Sequence, residues 1–309
     1  DLTQSSPKFA ESLKNIFNSR GKFFVYSQYV NFEGLGVFAR MLEVNGFTLY
    51  NNILTETPEI PLKAPEKLIV YHPQNTDGDT IYMPNSLRLA RLVESNIDSN
   101  GEIIWDILIY DNGLEGATVP GKINDNDVNL ATIVTWDGSV AMEKRDEIKK
   151  LFNSGDNLYG DHIFGILVSS SGAEGISLFN VRQSHILEPY WNNARMLQVE
   201  GRTIRYRSHV ELLCPDEKYT PDPKDSDTTN ERHIDVYYYT CVFKPEHTEL
   251  PIVIADGRET VDQKLINIAK RKTDAWNKLN STIIKMSLEQ YTPVIKETDE
   301  QKEEIKMTV

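Results

Sequence analysis

Cysteine is almost missing from this 309-residue chain, with only Cys214 and Cys241 present. Two thiols build neither a disulfide framework nor a zinc quartet, so a reducing, intracellular setting is expected rather than secretion. The six histidines are scattered without ligand spacing, so no metal site is expected. No apolar run approaches the ~20 residues that span a bilayer, and no membrane partner is expected. The opening, Asp1-Leu-Thr-Gln-Ser-Ser-Pro, is too polar for a signal peptide. It also lacks an initiator Met, as expected of a fragment or a processed chain. Positive charge is in deficit as well: the net charge is −13, which taken alone speaks against a polyanionic partner.

What is present suffices for a large core. With 39% hydrophobic and 26% charged residues, the chain suits one large or two small domains. Ser6 and Pro7 open a helix carrying Phe9, Leu13 and Ile16. Lys22-Phe-Phe-Val-Tyr-Ser27 reads as a buried strand running into Gln28. A helix through Val37, Phe38, Met41 and Leu42 then closes on Gly46. Residues 130–135 form the next strand, 136–153 a turn and an amphipathic helix, and 163–168 another apolar strand. This alternation predicts a three-layer α/β domain with a mostly parallel sheet over residues 1–245.

Residues from about 51 to 129 interrupt that pattern. They are rich in Pro and Asn, with a helix predicted over 86–93 and a strand over 103–110. They are read as an insertion with its own small structure, facing outward. Gly116-Ala-Thr-Val-Pro-Gly121-Lys122-Ile123 within it has the spacing of a phosphate-binding P-loop. Ile123 stands where a magnesium-holding hydroxyl is needed, and Asn124-Asp-Asn-Asp is poor helix material, so the match is read as chance. Leu212-Leu-Cys-Pro-Asp-Glu217 imitates a strand ending in Asp-Glu, but Pro215 interrupts it.

Residues 234–243 read as a strand in which Tyr237, Tyr238 and Tyr239 alternate faces, so at most two share a side. Residues 246–309 form a C-terminal helical extension and tail. Thr260-Val-Asp-Gln263 is a capping box. The helix it opens carries Leu265, Ile268, Ala269, Trp276, Leu279 and Ile283 on one stripe, predicted to pack on the domain or on a partner.

The chemistry concentrates in residues 163–209. The strand Ile163-Phe164-Gly165-Ile166-Leu167-Val168 runs into Ser169-Ser170-Ser171-Gly172-Ala173-Glu174-Gly175. A strand ending in a small, polar, Gly-rich turn offers backbone N–H groups that suit phosphate oxygens. A second strand, His185-Ile186-Leu187-Glu188, leads through Pro189-Tyr190-Trp191-Asn192 to Gln198-Val199-Glu200-Gly201-Arg202-Thr203-Ile204-Arg205. On a helix, Arg202 and Arg205 point the same way and can act on one anion. Between residues 181 and 210, five arginines (182, 195, 202, 205 and 207) stand against two acids, Glu188 and Glu200. That is a basic strip inside an acidic chain. A solvated helix face would explain the charges but not the order of strand, phosphate turn, strand and arginine pair.

That order, Gly172-Ala-Glu-Gly-Ile-Ser followed by a strand and Gln198-x-x-Gly201-Arg202-x-x-Arg205, resembles motifs V and VI of superfamily 2 helicases. The longer string from Ser171 through Glu188-Pro-Tyr-Trp-Asn192 is similar to the helicase-like ATPases of poxviruses and other large DNA viruses. That group includes nucleoside triphosphatase I and the small subunit of the early transcription factor. Ser27-Gln28 resembles motif IV, and Gly138, Ser139, Glu143, Arg145, Phe152 and Asn153 resemble the segment that follows it. The resemblance implies the second RecA-like lobe of a nucleic-acid-dependent ATPase. Arg202 and Arg205 would be arginine fingers with Gln198 beside them. Gly172 and Gly175 would permit the turn, and Glu174 would lie near the nucleotide sugar. Ser27, Gln28, Ser169, Ser170 and Ser171 would meet the DNA or RNA backbone. ATP and Mg²⁺ would be held mainly by a first RecA-like lobe of the same protein. RNA polymerase or transcription-factor subunits are further implied partners, in a virion or at a viral replication site in host cytoplasm. Val199 stands where many helicases carry a third arginine, which favours translocation over strict unwinding. A non-catalytic scaffold lobe of a transcription complex is the alternative. A phosphate-binding metabolic α/β enzyme is a third reading, but it lacks a catalytic dyad.

Overall fold

The structure is a computed structural model that describes residues 6–30, 34–50, 68–72, 87–97, 103–111, 114–120, 129–172, 175–213, 230–244 and 259–286. Its centre is a six-stranded sheet in which every pairing is parallel. The strands are β1 (Phe23–Ser27), β2 (Thr48–Leu49), β7 (Thr132–Trp136), β8 (Gly165–Ser169), β9 (Gln183–Ile186) and β10 (Asp235–Tyr238), in the spatial order 10-9-1-8-7-2. All five residues of β1 and all five of β8 are buried. Parallel strands covered on both faces read as continuous apolar runs, which is why both were visible in the sequence.

Side chains alternate between two cores. Phe23 and Val25 of β1 pack with α1 (Pro7–Phe17) and α2 (Leu35–Val44) on one face. Phe24 and Tyr26 pack on the other face with α3 (Met142–Phe152) and α4 (Asn193–Glu200). These are the three layers expected of a RecA-like α/β domain. α2 ends where Gly46 takes a φ of +97°, a conformation that costs glycine nothing.

The remaining strands, β3 (Leu68–Tyr71), β4 (Arg88–Ile97), β5 (Ile103–Asp111) and β6 (Leu114–Pro120), make a separate antiparallel sheet in sequential order. The helix predicted over 86–93 is therefore wrong: Arg88 to Val93 lie in β4 and pair with β3 and β5. Leu-Arg-Leu-Ala-Arg-Leu-Val has good intrinsic helix propensity, and cross-strand pairing overrides it. This sheet also does not simply face outward. Leu68, Val70, Leu87 and Leu89 lie in the same core as Phe23 and Phe38. The Val70 N–H donates to the Asn129 carbonyl (2.8 Å), and the Ala131 N–H to that of Leu68 (2.9 Å). Gly116 to Pro120 belong to β6, paired with β5, so that part of the P-loop spacing is extended strand rather than a phosphate-wrapping turn. Residues 121–123 and the Pro215 to Glu217 part of the second imitation lie outside the described residues.

α5 (Val261–Met286) starts with the predicted capping box. The Gln263 side chain accepts from the Thr260 N–H (2.8 Å), and Thr260 Oγ1 accepts from the Gln263 N–H (3.2 Å). Its first turn is pinned to α1 by a Lys8–Asp262 ion pair at 2.5 Å. Of the predicted stripe, only Ala269 is buried, whereas Trp276, Leu279 and Ile283 are exposed.

The register decides where the strand ends meet. Ser27 pairs with Ser169, and Trp136 with Val168, so the turns after β1, β7 and β8 leave the sheet at one edge. Gly172 is held there by contact, not by its torsion angles: a Cβ on it would sit 2.4 Å from the Trp136 carbonyl oxygen. We expect Gly172→Ala to cost about 1–3 kcal/mol through overpacking and to lower the thermal midpoint by several degrees. Gly155→Ala, whose Cβ meets nothing within 4 Å, is the control and should melt with wild type. Coincident melting of all three proteins would show that Gly172 is not there to admit Trp136.

Candidate functional site

The turn after β1 is organised by Glu188, two residues beyond β9. Its carboxylate accepts from Ser27 Oγ (3.0 Å) and from the Gln28 backbone N–H (3.1 Å). Burial pushes the Glu188 carboxyl above the usual range, and the two hydrogen bonds pull it part of the way back. Ser27 is fully buried, and its hydroxyl also accepts from the Tyr29 N–H (3.1 Å). It thus supports the turn from beneath, and a direct backbone contact from Ser27 does not fit this geometry. Gln28 is half-buried and Tyr29 exposed.

The serine turn after β8 is divided in the same way. Ser169 is fully buried, its hydroxyl 3.0 Å from Ser171 Oγ and accepting from the Gly172 N–H at 3.3 Å. Ser170 is half-buried and Ser171 exposed. Beside them, Asp137 accepts from both the N–H (2.7 Å) and the hydroxyl (2.5 Å) of Ser139, while Arg145 donates to the Asp137 carbonyl (2.6 Å). Ser139 and Arg145 of the motif-like segment therefore brace this neighbouring turn. Gly175 has a φ of +77°, which explains a glycine there. Ala173 and Glu174 lie outside the described residues.

Arg202 and Arg205 are not on one regular helix, because α4 stops at Glu200. Thr203 and Ile204 both donate to the Glu200 carbonyl as the chain tightens into a turn. The arginines nonetheless stay beside the Gly-rich turn. The Leu178 N–H donates to the Arg202 carbonyl (2.9 Å), and Arg205 Nη2 lies 3.5 Å from the Ile176 carbonyl. Arg205 is exposed, and its Nε donates to the Gly201 carbonyl (3.1 Å). Those two contacts leave three of its five N–H donors for an anion. Arg202 is half-buried, and its Nε has no hydrogen-bond partner among the described residues. Gln198 is exposed on the last turn of α4. Below the pair, the Arg205 N–H donates to Ser208 Oγ (3.2 Å), and His209 Nε2 lies 2.7 Å from the Val181 carbonyl. A carbonyl only accepts, so His209 carries its proton on Nε2 and receives Ser208 on Nδ1 (2.8 Å). Burial lowers the His209 pKa and so favours that neutral form.

The basic strip is shorter than the sequence implies. Arg182 is 3% exposed and enclosed with Glu231 and His233 at the opposite end of the sheet. Arg195 lies 5.0 Å from the Tyr190 ring and interacts with Tyr26. Arg195, Arg202, Arg205 and Arg207 remain at least partly accessible. The tyrosines do alternate: Tyr237 and Tyr239 stack on His185 on one side, while Tyr238 donates to Glu200 (2.7 Å) on the other. Sequence reasoning missed the Glu188 clamp and also the bond from the Phe179 N–H to Asn153 Oδ1 (2.9 Å), which braces the chain beyond Gly175. The Ser-Gln turn and the acid after β9 are 160 residues apart, so only the sheet order signals their contact. No group of three or more metal-ligating side chains comes together among the described residues, and none of their helices is long and apolar enough to cross a membrane.

Comparison with known proteins agrees with this geometry. Residues 105–207 match the helicase conserved C-terminal domain. The "Termination factor NPH-I homolog" of African swine fever virus (isolate Tick/Malawi/Lil 20-1/1983) is 35% identical over 217 residues, which are 69% of this chain and 25% of that protein. The nucleoside triphosphatase I of Melanoplus sanguinipes entomopoxvirus is 29% identical over 195 residues, 63% of this chain and 25% of its own. The match thus spans about a quarter of the length of these relatives. A motif V-like turn bonded to a motif VI-like arginine segment, on a parallel sheet and within a helicase C-terminal match, gives the chain its place: it carries a helicase C-terminal, RecA-like lobe, and its relatives are superfamily 2 helicase-like proteins of large DNA viruses.

Proposed function

We propose that this chain is the nucleotide-sensing and nucleic-acid-facing lobe of an ATP-driven translocase acting in viral transcription. The observation that carries this reading is the exposed Arg205 guanidinium, which reaches the chain just beyond the Gly-rich turn at Ile176 and its own segment at Gly201, with donors to spare. The magnesium nucleotide supplies the scissile phosphate when it is bound to a first lobe. Arg205 then faces the γ-phosphate across the cleft between lobes and stabilises the charge that develops as water attacks. Arg202, with its buried and unpartnered Nε, holds the same anion from the side, since buried donors require acceptors. Gln198 is placed to orient beside them. Gln28, Ser170 and Ser171 contact nucleic-acid phosphates without reading sequence, while Ser27, Ser169 and Glu188 hold those turns in position. Transcription is supported by the name of the African swine fever virus relative, a termination factor homologue. RNA polymerase or transcription-factor subunits, and a viral site in host cytoplasm, follow from the same reading.

In a two-lobe enzyme, Arg205→Ala should lower nucleic-acid-stimulated ATP turnover by ~10³-fold or more and leave nucleic-acid binding without nucleotide in place. Arg205→Lys should not rescue, because an ammonium lacks the planar fork. Arg207→Ala should lose far less. If Arg205→Ala keeps more than roughly a tenth of wild-type turnover, against the loss typical of arginine fingers, the assignment is wrong.

The 309-residue chain alone should hydrolyse ATP no faster than a buffer blank, because Gly116 to Pro120 of the P-loop spacing are extended strand and Ile123 replaces the hydroxyl that would hold magnesium. Steady turnover abolished by Lys122→Ala would overturn this.

A further inference from the structure

α5 is a second basic segment in an acidic chain. Its 26 residues hold six bases and two acids, inside a chain whose net charge is −13. Lys264, Arg271, Lys278 and Lys285 recur every seven residues. That interval spaces them ~10.5 Å apart on the axis of an α-helix and keeps them within ~20° of one another per heptad. They therefore form one stripe along the helix. Lys270 and Lys272 are also exposed and flank it on either side near the domain.

The attachment of the helix gives the stripe its direction. The first half of α5 packs on α4, with a cavity of about 410 Å³ between them lined by Tyr190, Met196, Tyr238 and Ile266. Lys272 Nζ sits 3.6 Å from the centre of the Trp191 ring. Trp191 belongs to the same connection after β9 that supplies the Glu188 clamp. From Asp274 to Leu279 every residue is exposed, including Trp276 at 59% and Leu279 at 53%. The helix is thus anchored at the end of the sheet that carries the Gln28 and Ser171 turns, and beyond Thr273 it is largely exposed.

We propose that α5 is a second nucleic-acid contact, a basic arm that extends the phosphate-tracking surface beyond the lobe. It rests on the reading of Gln28, Ser170 and Ser171 as backbone contacts, because continuity with that face selects a polyanionic strand over other acidic partners. Arg271 and Lys278 bind phosphates, and the exposed indole of Trp276 offers a base a stacking surface without sequence preference. An anionic membrane is the other surface that basic amphipathic helices meet, and the experiment separates the two.

The test titrates the 309-residue chain against labelled single-stranded and duplex oligonucleotides of mixed sequence between 50 and 200 mM salt. Phosphatidylserine vesicles are run in parallel. Arg271→Gln/Lys278→Gln keeps helix-forming side chains and should weaken oligonucleotide binding on the order of tenfold, with the salt slope reduced by roughly 2. Ser171→Asp reports on the turn separately. Loss in the α5 variant supports the arm, whether or not Ser171→Asp also loses affinity. Loss in Ser171→Asp alone, with the α5 variant binding as wild type, overturns the arm and leaves the turn reading intact. A wild-type chain that ignores oligonucleotides overturns both readings. A wild-type chain that instead binds vesicles through Arg271 and Lys278 makes α5 a membrane-surface helix.

Discussion

Strand β1 is the constraint from which the rest of this lobe follows. Its five residues are buried on both faces, and it pairs in parallel with β8 on one edge and β9 on the other. The fit is close enough that a Cβ on Gly165 would lie 2.1 Å from the Phe23 ring. A strand held on four sides cannot shift its register without moving every side chain into the wrong core. The ends of its two neighbours are thereby fixed, and so are the Ser-Gln turn, the serine turn and the Glu188 connection that leave the sheet together. The floor beneath is equally closed. Lys22 is buried, donates to the Phe152 carbonyl (2.7 Å), and burial lowers its pKa to about 7. His185 is enclosed by Phe23, Tyr237 and Tyr239, and burial lowers its pKa to about 3.

On that base, backbone hydrogen bonds join two of the segments singled out in the sequence. The Gly-rich turn and the arginine segment meet through Leu178 and Arg202 and again through Asn180 and Ser208. Such bonds tolerate side-chain change while keeping the two segments in step.

The parts legible in the sequence are those with local causes. Buried parallel strands announce themselves as short apolar runs, and β1, β7 and β8 were found within two residues of their bounds. The Thr260 capping box and the alternating tyrosines also depend only on near neighbours. The failures share a different origin. Leu87, Leu89 and Ala90 have the composition of a helix but lie in or beside β4, because β3 and β5 offer partners. Arg202 and Arg205 have helical spacing, yet the helix stops at Glu200, before both of them. Arg182 counts as surface charge in any sequence window, but it lies in the interior beside Glu231.

The sequence by itself determined the fold class and the family, because both rest on the order of short segments whose chemistry is carried by adjacent residues. Tertiary structure alone decided which members of those segments are available to a ligand. Of the serines and glutamine chosen for backbone contact, Ser27 and Ser169 are buried and only Gln28, Ser170 and Ser171 reach the surface. The physical reason is that solvent access and hydrogen-bond partners are set by groups far away in the chain. A hydroxyl beside a strand end has the same local sequence whether it faces a phosphate or the carboxylate of Glu188.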